Sequence, residues 1–146
     1  MFTLIMASDC VFCRIIEGTL PSSQVYEDDD TLVFLDIAPV NKGHCLVIPK
    51  EHYEDAQDTP PETLANLVKV AQKVGDALVK GVHAEGFNIG INTKKAAGQV
   101  VFHIHIHVIP RFSHDGLKLW PGKKYEEGET ETIKDAITSC DSLLNT

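Results

Sequence analysis

No apolar run in this chain approaches the roughly 20 residues a membrane-spanning helix needs. The short apolar start, residues 1–8, has no basic region ahead of it, as a secretory leader would require, and Met6 is an alternative start. Basic residues are outnumbered: 13 Lys+Arg against 21 Asp+Glu give a formal net charge of −8. That balance argues against broad binding to nucleic-acid phosphates or an anionic membrane, though it allows one small anionic ligand in a locally favourable site. Internal repeats and low-complexity linkers are missing, so nothing divides the chain into domains. In a chain of this length with no secretory signal, the four cysteines are not expected to form a disulfide framework. The expectation is a soluble, cytoplasmic protein.

What is present is ordinary globular composition, 43% hydrophobic and 23% charged over 146 residues, which suits one domain over 1–146. Only Cys10 and Cys13 form a recognisable pair, and Cys-x-x-Cys in this context reads as a metal or redox element. Cys45 and Cys140 read as core.

The spacing predicts a short first helix capped by Asp9, with Val11, Phe12, Ile15 and Ile16 before Gly18. Strands are expected over 24–27, 31–36 and 44–48, the last stopped by Pro49. A long helix follows, with Thr59 and Glu62 at capping-box spacing and Pro60 and Pro61 in its first turn. Leu64, Leu67, Val68, Ala71, Val74 and Leu78 recur at helical spacing up to Gly81. Two more strands are expected over 87–92 and 101–109. A last helix starting near Thr130 carries Ile133, Ala136, Ile137, Cys140, Leu143 and Leu144 on one face. Strands clustered before and after one long helix predict an α+β domain on a mainly antiparallel five-stranded sheet.

Phe102-His103-Ile104-His105-Ile106-His107-Val108-Ile109 is the informative segment. Side chains alternate across a strand, so His103, His105 and His107 share one face, and Phe102, Ile104, Ile106 and Val108 the other. Three imidazoles in a row need hydrogen-bond partners, a metal or a ligand. Two chemistries fit: strand-borne imidazoles holding a catalytic metal, or a metal-free imidazole acting as nucleophile among donors.

Around this segment the chain resembles the histidine-triad superfamily, whose pattern His-φ-His-φ-His-φ-φ is matched by residues 103–109. Cys10-Val11-Phe12-Cys13-Arg14-Ile15-Ile16, Phe34-Leu35-Asp36-Ile37-Ala38-Pro39, Gly43-His44-Cys45-Leu46-Val47-Ile48-Pro49-Lys50, Asn92 and Ala97-Gly98-Gln99 match in order. The likeness covers about residues 9–111 and leaves 112–146 as a variable C-terminal segment. It implies a nucleotide-binding hydrolase acting at the α-phosphate of a purine nucleotide, closest to the small nucleoside phosphoramidases. By resemblance His105 is the nucleophile that forms a nucleotidyl-histidine, and His107 and His44 contact the phosphate. Asp36 binds the ribose hydroxyls. Phe12, Ile15, Phe34 and Ile37 line the base, and Asn92, Gly98, Gln99 and Val100 surround the phosphate.

A metal on His105 would block its attacking nitrogen, so the implied reaction needs no catalytic metal. For the Cys10–Cys13 pair the resemblance implies a structural zinc completed by His52 and His103. Val100 departs from the hydroxyl residue of the phosphoramidase branch, which leaves the leaving group open. Two alternatives therefore stand beside the phosphoramidase. One is a dinucleoside polyphosphate hydrolase; the other is a nucleotide-binding regulatory module with little catalysis. The resemblance also implies a homodimer, and a C-terminal segment in which Trp120 shapes substrate choice across it.

Overall fold

Alternation along the strands sorts the core into two layers. The computed structural model describes residues 9–144; the apolar start, Met6 included, and the Leu144 side chain lie outside the described residues. In order, α1 (Val11–Ile16), β1 (Gln24–Glu27), β2 (Thr31–Leu35), β3 (Cys45–Pro49), α2 (Pro61–Gly81), β4 (Gly86–Gly90), β5 (Ile106–Arg111), α3 (Glu129–Thr138) and α4 (Asp141–Leu144) follow one another. The strands make one antiparallel sheet ordered β1-β2-β3-β5-β4, so the domain is α+β, as expected.

Leu32 and Phe34 of β2 and Leu46 and Ile48 of β3 pack with Phe12 and Ile15 of α1 on one face. Val33, Cys45, Val47, Ile106 and Val108 pack with Leu67, Val70, Ala71, Val74 and Leu78 of α2 on the other. Leu46 is paired with His107 and Val47 with Ile106, so the register assigns His107 to the face of α1. The histidines thus share a layer with the N-terminal helix, while the intervening Ile104, Ile106 and Val108 anchor the segment under α2.

Several expectations need correction. β5 starts at Ile106, not at 101, so His103 and His105 precede the strand. Its pairing with β3 ends at Val47 opposite Ile106. Beyond that point β3 reaches Pro49, which has no N–H to donate; the Pro49 carbonyl takes the His103 ring N–H instead, and Ile104 N donates to Tyr53 O at 2.8 Å. β5 also continues through Pro110, which lies opposite Phe87 of β4 and past the end of the β3 ladder, so its missing N–H breaks no bond on that side.

Cys10, not Asp9, caps α1: its thiol accepts from Cys13 N at 3.3 Å. Thr59 does not cap α2; its hydroxyl donates to Asp55 O at 2.7 Å, and the helix opens on Pro60-Pro61 without a side-chain cap. Val68 is half-exposed, and Val70 holds the buried position instead.

Residues from Gly116 on form a second compact unit, distinct from the one that ends at Asp115. Its expected single helix is broken into α3 and α4 around Ser139-Cys140. α3 buries none of its residues, and Cys140, expected in the core, is exposed. A segment this short has too little apolar surface to build a core of its own. Among the described residues no helix is long and apolar enough to cross a membrane.

Candidate active site

Each imidazole on the α1 face has its proton assigned by a neighbour. His105 Nδ1 lies 2.7 Å from the His103 carbonyl. A carbonyl only accepts, so Nδ1 carries the hydrogen and Nε2 carries the lone pair. Val40 N donates to His44 Nδ1 at 3.1 Å, which leaves the His44 hydrogen on Nε2. That N–H donates to His107 Nδ1 at 2.9 Å, so the His107 hydrogen is on Nε2. Among the described residues that atom is buried with no partner.

Burial keeps these rings neutral. It lowers the pKa of His44 and His105, and it pushes His107 down to about 4, with help from the neighbouring His105 and His44. The rings are close: the His105 and His107 centroids are 4.9 Å apart, and Phe12 meets His105 edge-on at 5.2 Å.

The other expected site residues divide by location. Asp36 follows β2, one position beyond the Leu35–Cys45 pair, and its N–H donates to His44 O at 2.9 Å. Its Oδ1 accepts from Ala38 N at 2.9 Å and its Oδ2 lies 3.8 Å from His44 Nε2. The carboxylate therefore closes a turn and also faces the histidines. Phe12, Ile15 and Phe34 are buried in the layer under α1, whereas Ile37 is 99% exposed. Asn92 and Gly98 lie together: Gly98 has φ +94°, and a Cβ there would stand 3.6 Å from Asn92 Nδ2. Val100 is exposed. The Gln99 carboxamide is turned inward: it accepts from Lys94 N and donates to Glu54 O and Val101 O. Its side chain shapes the loop between β4 and β5.

Beside the histidines, Cys10, Cys13, His52 and His103 bring one ligand atom each within 4.8 Å of one another. His103 Nε2 donates to Pro49 O at 2.9 Å, which points the Nδ1 lone pair into this cluster. Nδ1 of His103 lies 3.4 Å from Cys10 Sγ, 3.6 Å from Cys13 Sγ and 3.1 Å from His52 Nδ1. Cys13 Sγ lies 3.3 Å from His52 Nδ1.

The HIT domain profile matches residues 17–114. The chain belongs to the HIT family. It is 40% identical over 137 residues to the adenylylsulfatase HINT3 of Arabidopsis thaliana, covering 92% of this chain and 68% of that one. It is 36% identical over 132 residues to the adenosine 5'-monophosphoramidase hnt1 of Schizosaccharomyces pombe, covering 89% and 96%. The crystal structure of a Zn-bound histidine triad family protein from Mycobacterium smegmatis superposes with a TM-score of 0.75 at 44% identity, covering 94% of this chain and 99% of that one.

The donor set of this HIT protein fits a zinc ion. A tetrahedron with the usual Zn–S and Zn–N bond lengths has edges of roughly 3.3–3.8 Å, and the distances above fall near that range. The His103 N–H on a backbone carbonyl is the outer contact that would orient this imidazole on such an ion. Without the ion, burial and the adjoining Cys10 push the Cys13 thiol up to about 12. A second cluster, Asp36, His44 and His107, also converges. It does not suit a cation, because Val40 N–H occupies His44 Nδ1 and so keeps a hydrogen, not a lone pair, on the converging Nε2.

Two features escaped sequence reasoning. The Val40 contact is made by a main-chain amide, which any residue but proline supplies. Asp55 is buried and pairs with Lys94 Nζ at 2.5 Å, which holds its carboxyl below the ordinary range. Lys94 sits at φ +72°, in the loop that Gln99 fastens.

Proposed function

We propose that this HIT protein hydrolyses a phosphoramidate or anhydride at the α-phosphate of a purine nucleotide through His105. The supporting observation is the His105 Nδ1–H bond to the His103 carbonyl, which leaves a neutral ring with its Nε2 lone pair uncommitted. In the first step Nε2 bonds to phosphorus and the bond to the leaving nitrogen or oxygen breaks. The leaving group keeps that electron pair, and an amine also takes a proton from solvent. Water then attacks phosphorus, the N–P pair returns to Nε2, nucleoside monophosphate departs and one proton goes back to solvent. The unpartnered His107 Nε2–H donates to a phosphoryl oxygen in this reading, and Asp36 accepts from the ribose. Names of relatives supply two leaving groups to try, an amine and sulfate. A dinucleoside polyphosphate is the third.

A structural zinc on Cys10, Cys13, His52 and His103 belongs to the same proposal. It would join α1 to the segment that carries the nucleophile. A homodimer and a cytoplasmic location complete it: β4 is an edge strand with Phe87 and Ile89 partly exposed, which a second copy would cover.

The direct test is capture of the intermediate. A single turnover of adenosine phosphoramidate, quenched in base and digested, is expected to give an adenylyl adduct on the peptide containing His105. Turnover without an adduct, or an adduct on another residue, overturns the mechanism.

Burial of the histidines sets the pH dependence. In the unfolded chain His107 takes a proton near 6.5; in the folded chain it does so only near 4. Protonating His105 Nε2 removes the attacking lone pair, and burial lowers that pKa, so the acid limb of kcat/KM is expected below the ordinary imidazole value near 6.5. Between 6.5 and 4 the unfolded state binds the extra proton, so stability falls as pH drops through that window. Rate profiles and melting temperatures from pH 8 to 4.5 check both. An acid limb at 6.5 would contradict a His105 ring held neutral by burial.

A further inference from the structure

The turn 37–43, between β2 and β3, carries the Val40 amide, yet Ile37, Ala38, Pro39 and Val40 are all exposed. With none of these four side chains buried, apolar packing does not hold that stretch. Its fastening is polar. Asn41 Nδ2 donates to Pro110 O at 2.9 Å and to Asp115 Oδ2 at 3.0 Å, and Asn41 O accepts from His44 N at 3.0 Å. The Asp115 side chain is 7% exposed and is gripped by Arg111, with Nε at 2.7 Å from Oδ2 and Nη2 at 3.1 Å from Oδ1. Phe112 N also donates to Oδ2, at 3.1 Å. Arg111 Nη1 reaches across to Asn88 Oδ1 of β4 at 2.8 Å. The anchor is thus rooted in the two strands at one edge of the sheet.

We propose that Asn41, held by Asp115 and Arg111, is a positioning residue that sets the tautomer of His44 and, through it, that of His107. The steps are short. Asn41 fixes the turn, the turn fixes the Val40 amide on His44 Nδ1, and the His44 hydrogen is thereby confined to Nε2. His107 must then accept on Nδ1 and present its hydrogen on Nε2. If the turn swings out, His44 Nδ1 faces water and both tautomers become accessible. His107 then loses its fixed acceptor role, and its outward N–H is present only part of the time. Asn41 touches none of the reacting atoms in this scheme. The link to turnover rests on the roles given to His44 and His107 under the proposed function; the link to the tautomers does not.

Asn41→Asp is the sharpest test. It keeps the volume and replaces the donor with an acceptor facing the Pro110 carbonyl and the Asp115 carboxylate. Asn41→Ala, which removes the donor without adding charge, serves should the aspartate variant fail to fold. Histidine ring nitrogens labelled with 15N report each tautomer through their couplings to ring protons. The parent is expected to show single Nε2–H forms at His44 and His107, and the variants a mixture at both. With adenosine phosphoramidate, kcat is expected to fall by about 10²-fold, the scale of a misplaced catalytic group, with zinc content and circular dichroism unchanged. Parent-like tautomers in both variants overturn the proposal. Mixed tautomers with undiminished kcat support it and instead count against the catalytic roles of His44 and His107.

Discussion

Replacing His105 with alanine is expected to lower kcat for adenosine phosphoramidate by roughly 10⁴-fold or more, the scale seen when a covalent nucleophile is removed. The reason lies in how the ring is held. Its Nδ1–H is committed to the His103 carbonyl, its flank to Phe12 and its other side to His107. No other imidazole of the layer has an uncommitted lone pair at a ring edge. His44 Nδ1 takes the Val40 amide, His107 Nδ1 takes the His44 N–H, and His103 Nδ1 is turned to the thiols. A substitute nucleophile is therefore missing from the set. His107→Ala should cost less, about 10²–10³-fold, because it removes one hydrogen-bond donor to the developing charge rather than the attacking atom. AMP affinity, measured by calorimetry, should change little in His105→Ala. A kcat loss below about tenfold in that variant would end the covalent mechanism.

Removing zinc from the proposed Cys–His site is expected to lower the melting temperature by about 10 °C or more. A ligand present at a hundred times its dissociation constant stabilises the folded state by about 2.7 kcal/mol, and each kcal/mol moves the midpoint of a domain of this size by several degrees. The site gives that energy something to act on: α1 is only six residues long, and its cap and first turn supply Cys10 and Cys13. Protein purified without chelator should carry about one equivalent of zinc. Cys13→Ala should carry almost none and melt early, whereas Cys140→Ala, which alters an exposed thiol outside the cluster, should match the parent. Less than roughly a tenth of an equivalent in the parent would remove zinc from the account.

Much of this was readable from residue order because burial leaves a period. Alternation over 102–109 put Ile104, Ile106 and Val108 opposite the histidines, and these three pack with α2 while His107 faces α1. The same alternation overextended β5. Ile104 and Ile106 are buried whether or not the backbone between them is in a ladder, so the pattern reports which way side chains point and not where pairing stops. The four-residue cluster of Cys10, Cys13, His52 and His103 was legible only through resemblance, since His52 and His103 lie far apart in the chain. Hydrogen-bond commitments were not legible at all. Nothing in the letters says that Gln99 turns inward or that Thr59 bonds Asp55 instead of capping α2. At the C-terminal end, the helical spacing of Ile133, Ile137 and Cys140 is real, yet spacing marks a stripe and does not supply the surface that would cover it.

His103 belongs to both halves of the centre: its ring leans on the thiols while its carbonyl steadies the ring of His105. A substitution at that position keeps the carbonyl but frees its peptide from the ring's anchors on Pro49 and the thiols, so loss of the proposed zinc ligand and a looser hold on His105 are expected together. Cys10 offers the cleaner cut, because its thiol meets the His103 ring and not the peptide that grips His105. Any ranking of variants across this centre has to begin from that asymmetry.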